Sequence, residues 1–110
     1  MEERTFLFAK NVAIFVTTLS RTIPNMEYGG QVVRSTGSGG ANYTEANESL
    51  SKKDFLMRIK ICRKEAKESA YWLRSIVETN DDECVKEGTK LMNEAVELKK
   101  IFSAILVNSK

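Results

Sequence analysis

The sequence predicts an all-α protein, an antiparallel up-and-down four-helix bundle. Three observations carry that reading. Apolar residues recur at steps of three and four along most of the 110 residues, breaker or capping residues gather at Ile23-Pro24, Ser49–Ser51 and Asn80-Asp81-Asp82, and no segment alternates with the period of a strand. The length suits one domain, residues 1–110, around a single core. With 42% hydrophobic and 29% charged residues, six Gly and one Pro, the composition is that of a folding, helix-rich chain.

The first helix is expected over residues 4–21, where Phe8, Val12, Phe15, Val16 and Leu19 fall at helical spacing and Ile23-Pro24 ends the run. Phe6, Leu7, Ala13 and Ile14 make this helix apolar on a second side as well. A single bundle core covers only one of the two.

A second helix is expected over residues 26–46 with Asn25 as its N-cap, although Gly29, Gly30, Gly37, Gly39 and Gly40 each cost about 1 kcal/mol relative to Ala. Helix is preferred to loop because Gln31, Arg34, Ser35, Ser38, Asn42 and Glu45 share one stripe and Val33, Gly37, Gly40 and Ala41 another. The small-residue stripe is expected to let a neighbouring helix approach closely.

Ser51, with Asp54 three residues later, reads as the cap and acidic first turn of a third helix over residues 51–79. Its seam, Phe55, Ile59, Cys62, Ala66, Ser69, Leu73 and Ile76, alternates steps of four and three, as near-antiparallel packing requires. The fourth helix, residues 82–108, is marked by Val85, Met92, Ala95, Val96, Phe102, Ile105 and Leu106 after the Asn80-Asp81-Asp82 turn. Short connections make successive helices antiparallel.

The residues present exclude several functions. No histidine occurs, and Cys62 and Cys84 form no CxxC pair, so the usual zinc sites and His-based acid, base or triad chemistry are ruled out. No metal, cofactor or catalytic residue is assigned. The two thiols are expected to be reduced, and Cys62 to be buried. The acidic Met1-Glu-Glu-Arg start is no export signal, and the apolar stretch from Phe6 to Leu19 is too short to span a bilayer; a cytoplasmic protein without a membrane partner is the expectation. Ser35 to Gly40, Gly-rich as it is, lacks the Lys-Ser/Thr ending and the preceding strand of a phosphate loop.

Net charge is only +2, but its distribution is uneven. Residues 52–79 hold eight basic and four acidic side chains, whereas the flanking segments are close to balanced. Lys53, Lys60, Lys64, Lys67 and Arg74 form a stripe opposite the third helix's apolar seam, with Tyr71 among them and Glu78 sharing it. Such a row is either a phosphate-contacting surface or a solvated face. Trp72 flanks the seam and is read as packing. A second set is polar: Gln31, Arg34, Ser38, Asn42 and Glu45 on helix two, expected to reach Glu65 or Glu68 on helix three directly or through water. That row is a ligand site, a register-fixing network or a solvated face.

Gln31, Arg34-Ser35, Ser38, Gly40-Ala41-Asn42-Tyr43 and Glu45-Ala46 form one block of a family likeness. Ser51-Lys52-Lys53-Asp54-Phe55 and Lys64-Glu65-Ala66-Lys67-Glu68 with Tyr71-Trp72-Leu73 form the other. On these the chain resembles, over essentially its whole length, the bacterial four-helix-bundle family that includes proteins encoded by intervening sequences in large-subunit ribosomal RNA genes. The resemblance implies a homopentamer around an axial channel and carries no catalytic residues. A related branch, the accessory proteins of diversity-generating retroelements, is similar in fold and is a basic pentamer that associates with reverse transcriptase and nucleic acid; this chain, at +2, is less basic. The expected function is a non-enzymatic, homo-oligomeric binding or scaffold protein that contacts RNA or a ribonucleoprotein through helix three. The alternative is a structural or protein-interaction module with no nucleic-acid partner, and an enzyme using the Gln31 to Glu45 row ranks behind both.

Overall fold

The computed structural model describes residues 1–109, with residue 82 described by its backbone alone. Any part that Asp82's side chain plays in the expected 80–82 cap lies outside the described residues, as does Lys110. Four helices follow one another: α1 (Glu2–Thr17), α2 (Ile23–Asn47), α3 (Lys52–Thr79) and α4 (Asp82–Asn108). They form an elongated bundle of 45 × 20 × 19 Å. Its long axis matches the ~40 Å of a 27-residue helix.

The antiparallel order is visible in the cross-helix partners. From Asn25 through Ser35 and Gly39 to Asn42 on α2, the partners beside and along α3 fall from Asn80 through Ser69 and Cys62 to Arg58. Gly29 and Gly40 likewise meet Val16 and Thr5 of α1. The α1 contact with α4 closes the bundle and is the sparsest of the four.

Each end has a local cause. α1 begins at Glu2 with Glu2 and Glu3 in its first turn, where carboxylates favour the helix dipole. It stops at Thr17 instead of reaching residue 21; there the Thr18 and Leu19 N–H groups turn to the Phe15 and Val16 carbonyls at 3.0 and 3.2 Å, and the Thr17 and Thr18 hydroxyls donate to the Ile14 and Phe15 carbonyls at 2.6 and 2.7 Å. Proline is not what ends it. Pro24 sits in the first turn of α2, where its missing N–H costs nothing, and Thr22 is the cap, its Oγ1 accepting from the Asn25 N–H at 3.2 Å. Asn25, expected as the cap, is buried and exchanges two amide hydrogen bonds with Asn80, at 2.9 and 2.7 Å, so that the α1–α2 link is tied to the α3–α4 turn. Ser51 caps α3 as expected, accepting from the Asp54 N–H at 3.1 Å.

The core lies along the expected seams. Ile59, Cys62, Ala66, Ser69, Leu73 and Ile76 of α3 are all buried, facing Phe8, Val12 and Phe15 of α1, Val32 of α2 and Leu91, Ala95, Leu98 and Phe102 of α4. Each large apolar side chain shielded in this way contributes about 1.5–3 kcal/mol. Leu91 and Leu98 take inward positions that the sequence reading did not assign, whereas Val96 turns outward.

α2 stays helical through Ser35 to Ala41, with no positive-φ residue. Its small-residue stripe does not do what was expected. Val33, Gly37 and Ala41 are exposed, and only Gly40 meets a neighbour, the Thr5 backbone. Close approach is made instead at Gly29, where a Cβ would lie 2.8 Å from Val16, and at Gly88 of α4, where it would lie 2.6 Å from Val77 and 3.2 Å from Phe15. Among the described residues, no helix is long and apolar enough to cross a membrane.

Candidate functional site

α3 is amphipathic over 28 residues, and its seam fixes which side chains point outward. Lys53, Lys60, Lys64 and Lys67 are all exposed on the far side. Among the described residues none of these four forms an ion pair, which leaves their charge available to a partner. Arg74 differs: its Nε donates to Glu78 Oε2 at 2.7 Å, and that bond raises its pKa above the ordinary arginine value. The free row is therefore four lysines, and it ends short of Arg74.

Two exposed residues belong to the same stripe. Tyr71 is 62% exposed, and Met57, between Lys53 and Lys60, is also outward. The Met57 position follows from the spacing and was missed because an apolar residue was not sought on the polar face. Trp72 sits with its ring edge-on to Tyr71, centroids 4.9 Å apart at 83°, and stacked on Tyr28 of α2 at 5.9 Å and 29°. Trp72 thus packs, as expected, but what it packs against is the exposed tyrosine and a tyrosine from the neighbouring helix. Nothing in the sequence spacing pairs Tyr28 with Trp72.

The polar row on α2 is broken into separate contacts. Ser38 and Asn42 join, the Asn42 amide donating to the Ser38 carbonyl at 2.9 Å and to its hydroxyl at 3.3 Å, and Arg58 Nη1 donates to Asn42 Oδ1 at 3.1 Å. Arg58 Nε is 3.8 Å from Asp54 and shielded, with no hydrogen-bond acceptor. Gln31 is half-buried, and Arg34 and Glu45 are exposed. Among the described residues no direct hydrogen bond joins Arg34, Asn42 or Glu45 to Glu65 or Glu68. The register explains this. Gly39 is the residue opposite Glu65, whose Cβ lies 3.5 Å from where a glycine Cβ would be, and the Arg34 guanidinium folds back over Gly30 on its own helix.

One layer deeper the two helices bond again, through Ser35 and Ser69, whose hydroxyls are 2.7 Å apart and buried. Ser69 Oγ also contacts the Glu65 carbonyl at 2.7 Å. Around them Thr5, Thr36, Gly39, Gly40 and Cys62 help to line a cavity of about 20 Å³, too small for a ligand larger than water. Glu68 has its carboxyl pKa raised, first by burial and then by the hydrogen bond and charge of Glu65, with Lys64 opposing. Burial pushes the Cys62 thiol up to about 11. Among the described residues no group of three or more Cys, Asp or Glu is gathered as a metal site. The outward chemistry of α3 is therefore cationic and aromatic.

A sequence model for the family described as 23S rRNA-intervening sequence protein matches residues 3–104. The chain belongs to this family. For this 23S rRNA-intervening sequence family member, one similar solved structure is that of a protein with unknown function from the S23 ribosomal protein family of Bacteroides thetaiotaomicron VPI-5482. It is 27% identical, with 96% of each chain covered and a TM-score of 0.78. No curated protein matches the chain.

Proposed function

We propose that the chain is a non-enzymatic building block of a closed homo-oligomer, five copies around an axis, that serves as a scaffold and binds RNA through α3. The observation that carries the assembly is the outer face of α1. Phe6, Leu7 and Ile14 are 60, 41 and 53% exposed although the helix's other face is fully packed. Beside them an open groove of about 750 Å³ runs between α1 and α4 over Leu7, Phe8 and Leu91, crossed by the Arg4–Glu94 pair at 2.7–2.8 Å. Large apolar side chains gathered on one face favour a protein contact, and a head-to-tail contact that closes gives a ring. The number five rests on the family resemblance. Replacing Phe6 and Ile14 together with Glu is expected to yield monomers that keep their helical circular dichroism. An unchanged oligomer mass would place the interface elsewhere.

The non-enzymatic part is supported by the lack of histidine and by a Cys62 thiol held in its protonated form. RNA contact is supported by the four exposed lysines of α3, none of which forms an ion pair among the described residues. Replacing Lys60, Lys64 and Lys67 with Gln is expected to weaken RNA retention and to flatten its dependence on salt, since fewer counterions are released. If the native chain retains no RNA in a salt-dependent way, the row is a solvated face and the scaffold acts without nucleic acid.

A further inference from the structure

We infer that the α3 surface takes single-stranded RNA, with an unpaired base stacked on Tyr71 and the adjoining phosphates held by Lys60, Lys64 and Lys67. The inference rests on the RNA reading above and narrows it from nucleic acid in general to unpaired strands. Tyr71 is left 62% exposed, as much as Phe6 of the outer α1 face, whereas Phe8, Phe15 and Phe102 are buried. Its ring is positioned by the edge-on Trp72, and Trp72 is fixed by its stack on Tyr28. A ring already held in place loses little freedom when a ligand covers it.

The geometry joins this ring to the charge. Lys60, Lys64, Lys67 and Tyr71 follow at steps of four, three and four, so they lie along one side of the helix over about 16 Å. Two turns beyond Tyr71, Glu78 is paired with Arg74. Glu68 borders the row, four residues from Lys64, and feels the charge of both Lys64 and Glu65. Cations that track a backbone, followed by an exposed aromatic, are the elements with which single strands are bound without sequence preference.

A duplex would not use them equally. Its bases are covered on both faces by their neighbours, and the deep, narrow major groove of A-form RNA does not admit a helix, so a duplex could engage the lysines but not the ring. An unpaired base can engage both.

The test is fluorescence anisotropy with a labelled, unstructured RNA of about twelve nucleotides and with the same sequence annealed as a duplex, each titrated at several salt concentrations. The native chain is expected to bind the single strand about ten-fold more tightly than the duplex. Tyr71→Ala is expected to weaken single-strand binding about ten-fold while leaving the salt slope unchanged, and Tyr71→Phe to stay near the native affinity. Trp72, the chain's one tryptophan, gives a second signal: its emission should change when the single strand binds the native chain and change less in Tyr71→Ala. Salt-dependent binding that is equal for duplex and single strand, or equal in Tyr71→Ala and the native chain, overturns the stacking inference and leaves lysine-mediated RNA binding intact. No salt-dependent binding of either RNA removes the RNA reading and the inference with it.

Discussion

Cys62 lies on the α3 seam with Ile59 three residues before it and Ala66 four after, fully shielded and with its sulfur 3.5 Å from the Gly39 carbonyl. Burial disfavours its thiolate, the reactive form, and pushes the pKa to about 11. Cys84 is half-buried, its pKa raised by burial and by Asp81. A thiol reagent at mildly alkaline pH should therefore modify Cys84 first in the native protein and reach Cys62 at a comparable rate only after unfolding. Equal rates in the native state would contradict the assigned core face. The linkage has a definite sign. Because the folded state holds the Cys62 proton more tightly than the unfolded state, this contribution to stability is complete below about pH 9 and is lost as pH rises towards 11. The burial of Cys62 was legible from its neighbours at minus three and plus four. Its Gly39 partner was not, because periodicity within one helix does not give the register between two.

α2 illustrates what pattern and propensity each decide about a helix. Five glycines between residues 29 and 40 argue for a loop, yet the helix is continuous because its buried positions, Gly29, Val32, Ser35, Thr36 and Ala46, lie against α1 and α3 and tertiary packing outweighs the propensity cost. The ends were less legible than the middles: Pro24 was read as a terminator of α1 and proves to be part of the first turn of α2, a role proline's fixed φ suits equally well. Which glycines allow close approach also depends on register. A substitution pair separates the two kinds. Gly37→Ala, with nothing within 4 Å of the added carbon, should raise thermal stability by about 1 kcal/mol. Gly88→Ala, which drives a methyl group into Val77 and Phe15, should lower it by about 1–3 kcal/mol despite the better helix propensity of Ala. Thermal or urea unfolding of both variants measures the difference, and a stabilised Gly88→Ala would show that α3 and α4 are not packed as closely as described.

At the scale of the whole molecule, the bundle completes one core and leaves a second apolar surface. The sequence already carried this, since α1 is apolar on two sides and one core covers only one of them. The structure assigns the sides: Phe8, Val12 and Phe15 face inward, Phe6, Leu7 and Ile14 outward. The candidate RNA surface was legible in part. Its lysines follow from spacing, whereas the separation of Arg74 and the alignment of Tyr71 with Trp72 and Tyr28 depend on rotamers and on a neighbouring helix. Of the two routes expected for the polar row, direct or through water, the direct one is not taken among the described residues, because the residue facing Glu65 is Gly39. Assembly through α1 is the claim on which the proposed function depends most. Sedimentation equilibrium of the native chain at micromolar concentration tests it directly. The expected result is one species of five times the 12.4 kDa chain mass, and a single species at the monomer mass would contradict the account.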